Sequence, residues 1–488
     1  MSELMFQSAT ELLKAILDKR ISSSELLEMY IERYERFNPG LNCIVATDFE
    51  NARARAREAD QALSRGENWG PLHGLPMTIK DSMEVMGMPC TWGAPLLKDY
   101  MPKKNADVVQ PLIDAGAVIF GKTNIPLFAM DTQSFNEVYG QTNNPWDTSR
   151  TPGGSSGGSV TALAAGLTGL EIGSDIGGSI RSPAHFCGVY GHKPSYGVVP
   201  MRGQGPDMGL IPVNHPMQTD LSVTGPLARG PEDLDLVMDL VVRPSLPDRK
   251  AYSITLPPAR KKALKEYRIG LWLDDPAFPV ESSVGDRLQE AADKLAKAGA
   301  HVEDKRPEID FARSDEIYLD LLNLATVWST PQAEYDQLLD LIQKPVEPGQ
   351  ERMVRMIQGM TKSHREWQFL EIERLKLRQK WADFFKKFDA LLCPAVRIPA
   401  FEHDHTELPQ RLTRVNGEDQ PHGSVLLPWA GLTIVAYLPA TVAPVGLTPE
   451  GLPVGVQIVG PYLEDRTTIH LARLMTDVTG GFTPPPGY

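Results

Sequence analysis

Two glycine–serine clusters flank one run of small apolar residues, and this arrangement restricts the fold more than any other feature of the chain. The first is Thr151-Pro152-Gly153-Gly154-Ser155-Ser156-Gly157-Gly158-Ser159, and the second is Gly173-Ser174-Asp175-Ile176-Gly177-Gly178-Ser179-Ile180-Arg181-Ser182-Pro183. Between them, Ser156–Leu167 (SGGSVTALAAGL) is small and apolar on every side, the pattern of a helix buried all round. A flexible linker does not lead straight into a buried helix, so the first cluster reads as a tight turn at a helix N-terminus. Such a turn can also serve as a backbone nest, its amides and hydroxyls aimed at a reacting group. With the chain running out along one element and back along the next, Ser155 and Ser179 come together. The glycines then remove Cβ atoms that would block approach to the Ile176–Ser179 amides, which can form an oxyanion hole.

Short β-like runs alternate with helical ones around this region. Met77-Thr78-Ile79, Ala117–Phe120, Leu170–Ile172, Ile269–Leu273, Ala390–Cys393, Leu432–Tyr437 and Val454–Val459 read as strands, and Asp107–Ala115 and Glu366–Lys387 as helices. Ser8-Ala9-Thr10-Glu11 and Ser22-Ser23-Ser24-Glu25 fit the S-x-x-E capping box, each ahead of an amphipathic helix. The alternation predicts an α/β fold, with a central mixed, mostly parallel sheet sandwiched by helices. The chain is expected to form one domain. Helices occupy 1–70, the core 71–230, a helical excursion about 283–388, and the return to the core 389–488.

Composition narrows the function class. The 49 Lys and Arg against 62 Asp and Glu give a net charge of -13, which argues against a broad basic footprint for nucleic acid or anionic lipid. Four scattered cysteines (Cys43, Cys90, Cys187, Cys393) offer neither a disulfide framework nor a CxxC pair. The opening MSELMFQSATELLKA lacks a signal peptide's basic and apolar regions. The uncharged stretch Ser424–Pro449 is broken by Pro428, Pro439 and Pro444, which favours buried strands over a membrane span. A cytoplasmic location is expected.

Several motifs lose their force in context. Gly116–Thr123 (GAVIFGKT) matches the phosphate-binding P-loop letter for letter, but its central Ala-Val-Ile-Phe is strand rather than flexible turn. Gly153–Gly157 matches the nucleophile elbow of α/β-hydrolases, with Ser155 as nucleophile, yet turn residues (Asn143–Asp147) precede it where a strand is required. His185 and His192 lie near the second cluster without an evident acidic orienter. Glu402, His403, His405 and His422 read as solvated loop, so no metal is expected. Lys80 is different. It ends the apolar strand of Leu75–Asp81, where half-burial would lower its pKa.

These residues, with HGLPMTIKD (73–81), FGKTNIP (120–126), NPWDTSRTPGGSSGGSV (144–160), GSDIGGSIRSPAHFCGVYGHKP (173–194) and GLPVGVQIVGP (451–461), resemble the amidase signature family. The resemblance implies the amidase signature fold and a Ser–cis-Ser–Lys triad on Ser179, Ser155 and Lys80. It places oxyanion-hole amides at Ile176, Gly177, Gly178 and Ser179, supporting residues at Ser156, Asp175 and Arg181, and substrate contacts at Phe128, Ala129 and Met130. Neutral Lys80 would take a proton from Ser155, which relays that of Ser179 as it attacks a carbonyl. The expected activity is hydrolysis of C–N bonds in small or aryl amides or carbamates (urethanes), with no cofactor. The alternative is the glutaminase-type component (the A subunit) of a tRNA-dependent amidotransferase, and a third is a non-catalytic or ester-cleaving member. Expected partners are a small-molecule amide or carbamate, without nucleic acid or membrane; homo-oligomerisation stays open. Tyr437-Leu438-Pro439-Ala440 departs from the family's commoner GLPA, and residues 124–150, 200–218 and 310–430 are expected to shape the pocket, with apolar groups such as Tyr318 and Trp429.

Overall fold

Both serine–glutamate pairs cap helices as their spacing predicts. In the computed structural model, which describes residues 2–205, 218–344 and 351–488, Ser8 and Ser22 each accept a bond from the amide three residues on. Glu11 and Glu25 reach back to the cap amides, starting α1 (Ala9–Leu17) and α2 (Ser23–Leu41). Three strands follow: β1 (Ile44–Thr47), β2 (Pro76–Lys80) and β3 (Val118–Thr123). They form a small sheet with β3 central, parallel to β2 and antiparallel to β1. The P-loop lookalike is therefore the strand its apolar centre predicts.

The small apolar run is α3 (Gly157–Ala164), every residue of it buried. It ends before Leu167 because the chain turns through Gly166 at φ +66. Then come β4 (Glu171–Asp175), α4 (Arg181–Cys187), β5 (Tyr190–Lys193) and β6 (Val223–Ala228). The second half adds β7 (Arg268–Leu271), β8 (His301–Glu303), α5 (Phe311–Thr326), α6 (His364–Phe384), β9 (Ala390–Pro394), α7 (Pro428–Ile434), β10 (Ala440–Leu447) and β11 (Pro453–Val459). Their strands join β4–β6 in an eight-stranded sheet ordered β8-β7-β9-β11-β10-β5-β6-β4.

The fold is α/β with a mixed sheet, as expected, but the large sheet is not mostly parallel. Only β8–β7 and β7–β9 pair parallel, and the other five neighbouring pairs are antiparallel. Alternating apolar runs reveal that strands exist but not which way they point. A second correction concerns Leu432–Tyr437. Its first three residues end helix α7 instead of forming a strand, because a short run buried on every side carries no periodicity to separate the two.

Two contacts position the site. Strand β2 runs beside β4, the edge of the large sheet, and the Thr78 amide donates to Thr168 Oγ1 at 3.0 Å, so the ends of β2 and β4 lie together. Helix α5 is seated on α7 by an aromatic cluster of Trp272, Phe278, Phe311 and Trp429, with ring centroids 4.8–5.8 Å apart. All four cysteines are buried and unpaired, and burial pushes their thiols up, Cys90 and Cys393 to about 12. Among the described residues no helix is long and apolar enough to cross a membrane.

Candidate active site

Lys80 closes β2 with its side chain fully buried. Its Nζ donates to Ser155 Oγ at 2.7 Å, Ser156 Oγ at 2.9 Å and Ser174 Oγ at 3.0 Å. Three hydroxyls satisfy the amine without a carboxylate in contact. Burial lowers its pKa to about 7, against the pull of Asp175 and Glu171, which favour the charged form. Ser155 follows a cis Gly154–Ser155 peptide. Gly154 is required there, since a Cβ would lie 2.6 Å from the Asp131 carbonyl oxygen and 2.7 Å from the Gln133 amide.

The second cluster is a loop between β4 and α4, and its shape is fixed by Asp175. That carboxylate accepts from the Gly178 amide (2.9 Å) and the Ile180 amide (3.1 Å), and is gripped by Arg181 through Nε (3.0 Å) and Nη2 (2.9 Å). Burial would push Asp175 up, but the Arg181 guanidinium holds it below the usual carboxylate range. Arg181 Nη1 in turn bonds the Ala430 carbonyl, Thr433 Oγ1 and Gln457 Oε1, tying the loop to α7 and β11. Gly178 has φ +96, and a Cβ there would meet Ser182 Oγ at 2.8 Å and Ala430 Cβ at 2.9 Å. From the other side, Tyr318 Oη on α5 donates to the Ile176 carbonyl at 2.9 Å.

The two clusters meet through one backbone bond, Ser156 N to Ser179 O at 3.2 Å. Lys80, Ser155, Ser156 and Ser179 are thus brought together, with Ser179 the most exposed of the four at 9%. Among the described residues no hydrogen bond joins the Ser179 hydroxyl to Ser155. Of the four amides expected to hold an oxyanion, that of Gly178 donates to Asp175 Oδ1 at 2.9 Å. The Ile176, Gly177 and Ser179 amides donate to no protein acceptor among the described residues.

Phe128 and Ala129 sit in a turn with φ +51 and +58, and Met130, 65% exposed, follows it. The loop that continues from them, Asp131–Gln133, packs on Gly154. Residues 206–217, within the stretch expected to shape the pocket, lie outside the described residues. Lys122 is no phosphate clamp, since its Nζ donates to the carbonyls of Asp81, Met83 and Pro89. His192 does meet an acid, Asp465 at 3.2 Å, but its other nitrogen is held by Thr441; His185 lies between the backbone oxygens of Gly455 and Ile398, and burial takes it to about 4.

Sequence reasoning missed three members. Ser174 lies next to Asp175 in the second cluster, and only the approach of β4 to β2, strands of different sheets, brings it to Lys80. Leu427 is the second: its Cδ2 would be 3.3 Å from a Cβ on Gly177, beside Tyr318 Oη at 3.4 Å, so it walls the oxyanion loop. Glu171 is the third, a fully buried acid whose carboxylate accepts from Thr78 Oγ1 at 2.5 Å. A charged residue opening an apolar strand is the signal that could have found it.

A buried amine on one serine, next to a second serine in a glycine-lined loop with free amides, can deprotonate a hydroxyl and hold an oxyanion. The fold carrying it is shared with solved amidase signature enzymes. A bacterial aryl acylamidase superposes with TM-score 0.78 at 25% identity, covering 97% of this chain and 96% of that one. 6-Aminohexanoate cyclic dimer hydrolase superposes with TM-score 0.78 at 26%, covering 99% of each. The Amidase family model matches residues 25–469, and the chain belongs to this family, the amidase signature enzymes, which act on C–N bonds. Among curated relatives, the A subunit of the glutamyl-tRNA(Gln) amidotransferase of Gloeobacter violaceus is 30% identical over 494 residues, 97% of this chain and 96% of that protein.

Proposed function

We propose that the chain hydrolyses a carbonyl C–N bond through an acyl-enzyme, with Ser179 as nucleophile, Ser155 as proton relay and Lys80 as base. The observation that carries this is the 2.7 Å bond from a fully buried Lys80 Nζ to Ser155 Oγ. Neutral Lys80 accepts the Ser155 proton while Ser155 accepts that of Ser179, whose Oγ attacks the carbonyl carbon. Reaching Ser155 requires the Ser179 side chain to turn toward it once substrate is bound. The Ile176, Gly177 and Ser179 amides receive the oxyanion, each worth ~3–4 kcal/mol. The relay then reverses, the leaving amine takes the proton, and water clears the acyl group by the same path. Ser156 and Ser174 hold Lys80 in place, and Asp175 with Arg181 fixes the loop. Chain chemistry suffices for each of these steps.

The donor we favour is a neutral amide or carbamate with an apolar group, because Leu427 and the Tyr318 ring stand beside the oxyanion loop. Phe128, Ala129 and Met130 are proposed as the other wall. A second reading has independent support: the A subunits of glutamyl-tRNA(Gln) amidotransferases from several organisms match nearly end to end at 28–30% identity. Under it the donor is glutamine, and the chain works with further protein chains and with tRNA, against the expectation of no nucleic-acid partner. The chemistry at Ser179 is common to both. A serine-directed fluorophosphonate, followed by peptide mapping, tests it: one adduct on Ser179, absent in Ser179→Ala, is expected, and an adduct on Ser155 overturns the assigned roles. Release of amine from aryl amides by the purified chain, with glutamine untouched, separates the first donor from the second.

A further inference from the structure

The proposed relay leaves one buried acid unused beneath its base. Glu171 opens β4, and its carboxylate accepts from Thr78 Oγ1 at 2.5 Å and from the Ile172 amide at 3.1 Å. The hydroxyls of Ser159 and Thr123, themselves 2.9 Å apart, complete its surroundings. Thr78 stands two residues before Lys80 on β2, and Ser159 one turn beyond Ser155 and Ser156 on α3. Strand β2 and the turn into α3, which present Lys80, Ser155 and Ser156, therefore also hold Glu171 through Thr78 and Ser159.

Charged groups stand on several elements around it; just after β6, which pairs with β4, Arg229 donates to the Leu163 and Thr168 carbonyls. From β2 there is Lys80; at the far end of β4 there is Asp175, already held by Arg181. Ahead of β1 lies the Cys43 thiol, which burial keeps protonated. On β3, Lys122 turns away to the carbonyls of Asp81, Met83 and Pro89. Lys80 is the cation on which a change of charge at Glu171 acts.

We propose that Glu171 is a positioning residue for the base: while it keeps its proton Lys80 is free to be neutral, and when it loses that proton Lys80 is drawn back to the charged, inactive form. This inference rests on Lys80 being the base. Burial pushes Glu171 up to about 7 and Lys80 down to about 7, so both titrate over one range and their steps belong to the pair. Loss of the Glu171 proton makes loss of the Lys80 proton harder, so the wild-type acid limb is broader than a one-proton curve.

The test is the rate of fluorophosphonate labelling at Ser179 as a function of pH, which needs no knowledge of the substrate. Glu171→Gln keeps the shape and stays neutral. Its acid limb is expected to move to lower pH by about one unit and to narrow to a one-proton curve. Thr78→Val removes a hydroxyl that favours the ionised carboxylate, and is expected to shift the limb the same way by less; it decides the matter if circular dichroism shows Glu171→Gln unfolded. A purely structural Glu171 lowers the melting temperature without moving the limb, and unchanged limbs in the folded variants overturn the proposal. A wild type that gives no Ser179 adduct overturns the relay, and this inference with it.

Discussion

Lys80 can accept a proton only above the pH at which it surrenders its own, and burial sets that near 7. The rate of amide hydrolysis, or of Ser179 labelling, is therefore expected to climb through about pH 7 and then level off, which a rate profile checks. Lys80→Met and Ser155→Ala are each expected to lower that rate by about 10²–10⁴-fold, the usual range for removing a positioned proton acceptor. Stability carries the same signature with a definite sign. The folded pKa of Lys80 lies below the unfolded value, so from about pH 7 upward the unfolded state binds more protons, and stability rises with pH by about 1.4 kcal/mol per unit. Lys193, also lowered to about 7 by burial, adds a second term, whereas Glu171, raised to about 7, adds nothing above that pH. Denaturant titrations at pH 7.5 and 8.5 are expected to show a stability change over that unit smaller in Lys80→Met than in the wild type by about 1 kcal/mol, the four buried thiols opposing the lysines equally in both. At this scale the approach of Ser155 to Ser179 was readable from two Gly/Ser clusters flanking one buried run, and the burial of Lys80 from its place at the end of an apolar strand. Ser174 and Glu171 were not, since their roles depend on which strand lies beside β2.

Elements tell a similar story. Strands and helices were legible wherever burial is one-sided or a cap marks the start, as at Ser8 and Ser22, whose boxes both form. Strand direction and the nature of Leu432–Tyr437 were hidden, because runs buried all round read alike. What binds the elements at the site is the Asp175–Arg181 pair, wholly removed from water. Breaking it with Arg181→Met leaves a buried carboxylate unpaired and is expected to cost about 3–5 kcal/mol, measured by denaturant unfolding. Tyr318→Phe is milder: it frees the Ile176 carbonyl but keeps the ring. Labelling at Ser179 is expected to fall, and stability to drop by about 1 kcal/mol, the worth of one hydrogen bond.

For the whole molecule the open choice is between an enzyme that acts alone and one that works in an assembly. Light scattering of the purified chain, paired with assays on an aryl amide and on glutamine, is expected to find aryl amide turnover by the chain on its own. Turnover only of glutamine, and only with added partner proteins, would transfer the assignment to the amidotransferase reading. The helical region after residue 283 was the least legible part of the sequence, because its residues match no motif and their use depends on where α5 lands. It lands on the reacting loop through one phenol, the Tyr318 hydroxyl on the Ile176 carbonyl. For an engineer this is a socket. Helices rebuilt between β8 and β9 would have to keep Phe311 in its aromatic cluster, Trp381 in the core and one hydroxyl at the Tyr318 position.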